Sequence, residues 1–199
     1  MVGYTYEEVT SDFSPLSEIR NLKIRMLTED IKFEVKDNLC TLYSNYLNFI
    51  DKQYPDSIIS GSLALNLYSL INRDIRDIDL IVDQRPTGVF HKDTYGDENI
   101  MTTSDRLGYQ YITEDFSWRH LFKKRQIFNV DFFLNKNKVK YNTFIFNKKT
   151  YRIQDPVQIA EQKLEMVNNS ENYFYASKRK HNVDLFVFFK NLNWDNEDV

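Results

Sequence analysis

The chain has 199 residues and a net charge of −3; 42% of its residues are apolar and 28% are charged. These values are ordinary for a soluble globular protein of one domain, with or without a small helical appendage. No apolar run approaches the roughly 20 residues that span a bilayer, and the start from Met1 to Glu8 lacks the basic and apolar parts of a signal peptide. Cys40 is the single cysteine, so an internal disulfide is excluded. We expect a cytoplasmic protein without a membrane partner.

The first 55 residues are predicted to form an N-terminal helical segment. Ser14 followed by Pro15 is typical of a helix N-terminus. From there to about Ile50 the apolar residues recur mostly at helical spacing, which predicts one or two amphipathic helices. Cys40 falls within this pattern, and we interpret it as a small buried helical residue rather than a reactive thiol.

A strand-helix-strand unit follows, and its second strand carries two acids. We predict a strand from Asp56 to Ser60, a helix from Ser62 to about Asn72, and a strand from Arg76 to Val82. Because side chains alternate along a strand, Asp77 and Asp79 project to the same side. Neighbouring carboxylates repel each other unless a cation lies between them. The spacing therefore indicates a divalent metal site.

Gly61 and Ser62 lie at the predicted turn from strand to helix. Glycine permits a sharp turn and close approach of the backbone to a ligand. The amide groups at the start of a helix suit a phosphate, and the Ser62 hydroxyl adds a donor. A Gly-Ser pair in this position is also common as a plain helix cap, so the pair has two interpretations.

The second half of the chain predicts more strands and then two helices. A polar segment from Arg85 to Gly108 is expected to be a mobile loop or an insertion. Four strands follow, the last two as a hairpin around Asn147–Lys149: Tyr109–Thr113, Gln126–Leu134, Thr143–Phe146 and Thr150–Ile153. Two helices close the chain, over Val157–Asn168 and Tyr173–Lys190. The order predicts an α+β fold with a mixed sheet in residues 56–154 and a C-terminal helical pair in residues 155–199.

Asp131 is the third acid that a metal centre requires. It lies in the run Asn129–Leu134, which is otherwise almost entirely apolar, and a lone charge there is costly unless it is paired or metal-bound. The alternative is an Asp at a sheet edge or beside an Arg. Together with Asp77 and Asp79 it would complete a two-metal site for phosphoryl displacement and accept a proton from an attacking hydroxyl.

These motifs resemble the polymerase-β-like nucleotidyltransferase superfamily. The resemblance rests on Gly61-Ser62, a helix, Asp77-Ile78-Asp79 and the later Asp131, and the local sequences look most like the AbiEii-type abortive-infection toxin branch. Gln158–Leu164 and Lys178–Leu185 are similar to that branch's C-terminal segments. The resemblance implies a nucleotidyltransferase core in residues 56–154.

The same resemblance implies roles for further residues. Gly61 and Ser62 would hold a nucleoside triphosphate, the three aspartates would bind two Mg2+ ions (Mn2+ as the alternative), and Lys163 would contact the phosphates. Asp184 would support the site. Apart from the resemblance, the position of Arg73 beside the acidic strand makes it either another phosphate contact or a simple partner of Asp74 or Asp77.

The acceptor and the partners are predicted less directly. Arg119 to Arg152 contains ten Lys or Arg residues and one acid, which favours RNA, such as a tRNA end, as the acceptor. The resemblance adds a toxin-like role and an antitoxin partner. Two alternatives stay open: transfer to a small molecule resembling an aminoglycoside or lincosamide, and a degenerate nucleotide-binding or antitoxin-partner module.

Overall fold

The computed structural model describes residues 13–75, 77–83, 91–92, 106–112, 127–134, 139–168 and 175–194. Within these ranges the chain forms helices and a mixed sheet, which confirms the predicted α+β class. The helices are α1 (Pro15–Thr28), α2 (Asp37–Leu42), α3 (Ser44–Gln53), α4 (Gly61–Leu67), α5 (Pro156–Asn168) and α6 (Tyr175–Trp194). The strands are β1 (Ile58–Ser60), β2 (Ile78–Val82), β3 (His91–Lys92), β4 (Arg106–Ile112), β5 (Ile127–Leu134), β6 (Tyr141–Phe146) and β7 (Lys149–Gln154).

Contacts group the chain into two compact units, each discontinuous in sequence. The helical unit comprises residues 1–44, 64–73 and 154–199, and the sheet unit comprises residues 45–63 and 74–153. The three consecutive segments predicted from the sequence, 1–55, 56–154 and 155–199, stay a prediction. None of the helices among the described residues is long and apolar enough to cross a bilayer.

The strands form one sheet in the order β3-β4-β5-β2-β1-β7-β6. The pairs β2–β5 and β1–β7 are parallel, whereas β1–β2, β4–β5 and β3–β4 are antiparallel. Residues paired across neighbouring strands project from the same face of a sheet. The register therefore defines two faces, one carrying Ser60, Asp79 and Asp131, which we call the acid face, and an opposite core face.

The core face of the sheet unit is packed with large apolar side chains. Ile59, Leu80 and Phe132 are paired in register across β1, β2 and β5, and each is fully buried. Tyr54, just after α3, packs edge-to-face on Phe132 with ring centroids 4.8 Å apart. Burying one such side chain stabilises the fold by about 1.5–3 kcal/mol, so this layer fixes the strand register that positions the acids.

The hairpin predicted around Asn147–Lys149 is confirmed. Strands β6 and β7 are neighbours in the sheet and are joined by Asn147 and Lys148, with φ of 50° and 63°. Two consecutive left-handed residues form the type I′ turn, whose twist matches that of the strands it connects.

Two helix starts in the helical unit agree with the sequence prediction. Ser14 caps α1, and its hydroxyl accepts a hydrogen bond from the Ser17 amide, with Pro15 in the first turn. Asp155 caps α5 by accepting from the amides of Val157 and Gln158 at 2.9 and 3.2 Å. The two predicted C-terminal helices are therefore confirmed as α5 and α6.

The N-terminal helices differ from the prediction of one or two. Three form, and residues 29–36, which belong to no helix or strand, separate α1 from α2. Lys36 at the end of this segment has an extended backbone, with φ −92° and ψ 124°. Its amide donates to the Leu67 carbonyl, 3.0 Å away, rather than to a carbonyl of a preceding helical turn. Ile24 and Leu27 of α1 are exposed. The apolar residues of α1 therefore cover more of the helix surface than the part that is buried.

The helix predicted to reach Asn72 ends at Leu67 instead. Ser69 has a φ of 63°, and the amides of Ser69 and Leu70 donate to the carbonyls of Asn66 and Leu65, both at 2.9 Å. These two hydrogen bonds form a Schellman motif, which terminates a helix at a left-handed residue. The sequence does not indicate this helix end, because Leu70 and Ile71 are also apolar and buried and so continue the helical apolar pattern.

Two predicted strands also have different limits. Strand β2 begins at Ile78, so Asp77 precedes the strand rather than lying in it. Strand β4 covers Arg106–Ile112 and so includes the end of the predicted loop. Most of the predicted Arg85–Gly108 loop, and Thr113, lie outside the described residues.

Candidate metal centre and neighbouring side-chain clusters

The strand register brings two acids from distant parts of the sequence side by side. Strands β2 and β5 are parallel neighbours, and Asp79 pairs directly with Asp131. Adjacent strands are roughly 4.8 Å apart, so these carboxylates share the acid face at close range. Asp131 is buried, with 9% of its surface exposed. A buried carboxylate beside another requires a compensating cation or hydrogen bonds.

Asp77, the residue directly before β2, is the third member of the cluster. One carboxylate oxygen from each of Asp77, Asp79 and Asp131 lies within 4.8 Å of the others. Opposite ligands of octahedral Mg2+ are about 4 Å apart, given metal–oxygen distances of 2.0–2.1 Å. An all-oxygen donor set is also what Mg2+ and Mn2+ prefer. The predicted convergence of the three acids is confirmed, and their use as metal ligands stays a prediction.

Gly61 forms the bend next to this cluster. Its φ is 59°, and a Cβ built on it would come within 2.6 Å of the Asp79 Cγ. Both facts favour glycine, because side chains disfavour that φ and the carboxylate occupies the space. The bend therefore lets the backbone approach Asp79 closely. Ser60 and Ser62 on either side are buried.

Ser60 is a site neighbour that the sequence argument passed over. It pairs with Asp79 across β1 and β2 on the acid face. Its position in the run Ile58–Ser62, directly before Gly61, is the signal that could have identified it. The phosphate-binding roles of Gly61 and Ser62 stay predictions.

A second charged cluster lies in the helical unit and centres on Asp184. The Lys163 ammonium donates to Asp184 Oδ2 at 2.8 Å, and the Arg73 guanidinium donates to both carboxylate oxygens at 2.8 and 3.2 Å. The side chains of Lys163 and Asp184 are only 7% and 3% exposed. Two cations around one buried carboxylate compensate for its loss of water.

The pKa shifts in this cluster follow from burial and charge. Burial alone raises the pKa of Asp184, but attraction to Lys163 and Arg73 outweighs burial and brings the pKa below its usual range. Burial and repulsion from Lys163 lower the pKa of His181 to about 4. Asp184 is therefore ionised and His181 neutral near pH 7.

Arg73 and Lys163 were predicted as nucleotide contacts, and their roles stay predictions. Arg73 forms an ion pair with Asp184, more than a hundred residues away in sequence, and its suggested pairing with Asp74 or Asp77 stays a prediction. The supporting role predicted for Asp184 also stays a prediction.

Cys40 has the structural character that its sequence position indicates. It lies in α2 and is 1% exposed. Burial, with a contribution from the negative charge of Asp37, raises the pKa of its thiol to about 11. The thiol is therefore protonated near pH 7 and lacks the thiolate form needed for nucleophilic chemistry.

Comparisons with known proteins give one structural similarity. The fold aligns with a crystal structure of an antigenic nucleotidyltransferase-like protein from Paracoccidioides brasiliensis, over 82% of this chain and 91% of that one. The TM-score is 0.40 and the sequence identity 15%. No protein-family model matches the sequence, and comparison with curated proteins finds no match. At this level of similarity, function has to be argued from the chain's own residues.

Proposed function

We propose that the protein is a metal-dependent nucleotidyltransferase that moves a nucleoside monophosphate from a nucleoside triphosphate to a hydroxyl group. The observation that carries the proposal is the convergence of Asp77, Asp79 and Asp131 within 4.8 Å. The Gly61 backbone packs against one of these acids. Three clustered carboxylates beside a close backbone approach suit a metal–phosphate ligand, and the resemblance of the motifs to nucleotidyltransferases supports this class.

The chemistry assigns metal binding to all three acids and proton transfer to one of them. Asp77 and Asp79 would hold Mg2+ on the acid face, and the ions would neutralise charge on the phosphates when bound. Asp131 would complete the ligand set and accept the proton of the acceptor hydroxyl. The acceptor oxygen then bonds to the α-phosphorus, the bond from that phosphorus to the bridging oxygen breaks, and pyrophosphate leaves. Positioning and charge neutralisation carry most of such a reaction.

Lys163 is proposed as a phosphate contact on the basis of the family resemblance, and Arg73 on the basis of its position shortly before the acidic strand. Both donate to Asp184. An ammonium and a guanidinium are both groups that bind phosphate oxygens.

RNA, such as a tRNA end, is the proposed acceptor, in a toxin-like cytoplasmic protein with an antitoxin partner. The support is the charge of the chain between Arg119 and Arg152, where cations outnumber acids ten to one. A polyanionic acceptor is attracted to such a region. The toxin-like role, the antitoxin partner and the choice of a tRNA end are proposed from the family resemblance alone.

The direct test is transfer of labelled nucleotide. Purified protein is incubated with Mg2+, each labelled nucleoside triphosphate in turn, and either total RNA or an aminoglycoside. We expect labelled RNA, and we expect Asp79→Asn to lower the rate at least roughly a hundredfold, the scale of lost electrostatic stabilisation of a transition state. Asp30→Asn is the control, because Asp30 lies outside the sheet unit, between α1 and α2, and has a side chain 80% exposed.

Three outcomes would count against parts of the proposal. Transfer by Asp79→Asn at the rate of the unaltered protein would exclude the three-acid site. Labelling of the aminoglycoside in place of RNA would support nucleotide transfer but contradict RNA as the acceptor. Absence of labelling with every nucleotide and acceptor, from folded protein, would favour a binding module.

A further inference from the structure

The register of the sheet extends the acid face beyond the three carboxylates. Ile58 of β1 lies on this face, two residues before Ser60, and it pairs with Arg152 of β7. Arg152 therefore projects from the same face as Asp79 and Asp131. Arg152 is two strands from β2 and two residues along, so its Cα lies roughly 12 Å from the Cα of Asp79 by strand spacing and rise.

Arg152 does not stand alone on that face. Its guanidinium carbon lies 5.8 Å from the centroid of the Tyr141 ring, in cation–π geometry. Tyr141 is 47% exposed, and the Arg152 side chain is 38% exposed. The opposite side of the hairpin is different: Phe144 and Tyr151 stack there with centroids 5.2 Å apart, and Tyr151 is buried. Because side chains alternate along a strand, the Tyr141–Arg152 pair lies on the more exposed face of the hairpin and the Phe144–Tyr151 pair on the more buried face.

The sequence of the hairpin carries only positive charges. Residues 139–154 contain Lys140, Lys148, Lys149 and Arg152 and no acid. Arg152 Nη1 donates to the main-chain carbonyl of Asp56 at 3.1 Å, and Nη2 lies 3.9 Å from the Asp56 carboxylate, which is 92% exposed. These contacts position the guanidinium, and its five N–H groups exceed the number needed for them. Exposed aromatic rings beside fixed cations are the elements that bind single-stranded nucleic acid, since rings stack on bases and cations contact phosphates.

We propose that Tyr141 and Arg152 form a docking platform for a single-stranded segment of the acceptor RNA. This inference rests on the proposed function and names where the acceptor binds: on the acid face, at the β6 edge of the sheet. A base stacks on Tyr141, Arg152 contacts a phosphate, and the strand continues along the face toward the carboxylates. Lys149 belongs to the other face, where it pairs with Asp51 of α3, and takes no part in the platform.

The test measures RNA binding apart from catalysis. A short fluorescein-labelled single-stranded RNA is titrated with the full chain in EDTA and without nucleotide, and anisotropy gives the Kd at several salt concentrations. We expect Tyr141→Ala to raise the Kd roughly tenfold or more, the scale of a lost stacked base. We expect Arg152→Gln to weaken binding and to reduce the salt slope by about one phosphate contact.

Matched variants separate the platform from general effects of charge and folding. Lys149→Gln removes a cation of the same strand from the opposite face and is expected to leave the Kd within about twofold. Tyr141→Phe keeps the ring and Arg152→Lys keeps the charge, so both are expected to bind better than Tyr141→Ala and Arg152→Gln respectively. Thermal melts confirm that each variant is folded.

The outcomes distinguish this inference from the proposed function. Unchanged RNA affinity in Tyr141→Ala and Arg152→Gln, or an equal loss in Lys149→Gln, would overturn the platform even if nucleotide transfer is observed. The platform also fails if the folded, unaltered protein binds no RNA, whether or not this face binds a protein partner instead. Asp79→Asn is expected to bind RNA normally and transfer nothing; transfer by that variant would overturn the proposed function and leave the platform intact.

Discussion

The backbone at Gly61 lies so close to the Asp79 carboxylate that the residue at position 61 affects the carboxylate cluster directly. Ser69, Asn147 and Lys148 also have positive φ, between 50° and 63°, and carry side chains. A left-handed conformation alone is therefore tolerated in this chain. Gly61 differs because a Cβ there would meet the side chain of Asp79, so its requirement for glycine has a steric cause specific to the site.

Gly61→Ala is predicted to damage metal binding more than stability. The left-handed backbone costs a non-glycine residue about 1–2 kcal/mol, and the new methyl group displaces the Asp79 carboxylate from the cluster. We expect a modest fall in the melting temperature and at least a tenfold loss of Mn2+ affinity, measured by titration calorimetry. Ser69→Ala is the control, since it keeps the Cβ already present at a similar φ. Mn2+ affinity equal to that of the unaltered protein would show that the close approach is irrelevant to the site.

At the scale of elements, Asp184 links parts of the helical unit that are distant in sequence. It projects from α6, Lys163 from α5, and Arg73 from the segment after α4. Its negative charge is nearly fully buried and compensated by both cations. The ion cluster therefore constrains how α5, α6 and the Arg73 segment pack together.

Asp184→Asn is predicted to destabilise the helical unit strongly. It leaves Lys163 buried without its carboxylate, and removing one partner of a buried pair typically costs about 3–5 kcal/mol. Urea unfolding at pH 7 measures the difference. The control is Glu161→Gln, because Glu161 of α5 pairs with Lys23 at a partly exposed position, where an ion pair contributes about 0–1 kcal/mol. Equal effects of the two variants would contradict a special role for the Asp184 cluster.

The same cluster sets a pH dependence with a definite sign. The folded-state pKa of Asp184 is depressed, whereas an unfolded Asp has a pKa of about 3.9. Its stabilising contribution is therefore complete above about pH 4 and is lost as the pH falls through the folded-state value. The difference between the unaltered protein and Asp184→Asn is expected to be constant near neutral pH and to shrink only in acid.

At the scale of the whole molecule, the sequence predicts most of the sheet and part of the site. Strand β5 and the hairpin can be predicted because their residues alternate or are rich in aromatic side chains. Asp131 can be identified because it interrupts an apolar run. The pairing of Asp79 with Asp131 is a property of strand order, which local patterns do not contain. The ion pair between Arg73 and Asp184 could not be predicted for the same reason, because Asp184 lies in α6, more than a hundred residues from Arg73 in sequence. The early end of α4 depends on a left-handed serine that the apolar spacing conceals.

Metal binding is predicted to change the sign of one substitution's effect on global stability. Without metal, Asp77, Asp79 and Asp131 repel one another, so Asp79→Asn is expected to stabilise the protein, by roughly 0.2–1 kcal/mol for relief of one like-charge contact. With Mg2+ or Mn2+ the order reverses, since a ligand at a hundred times its Kd stabilises the native state by about 2.7 kcal/mol and the variant loses that gain. Thermal or urea unfolding in EDTA and in saturating metal measures both effects, with the exposed Asp30→Asn as the control that follows the unaltered protein. If the three acids instead served the fold as ordinary ion-pair partners, Asp79→Asn would destabilise in EDTA as much as in metal, and the crossing of the two curves would be absent.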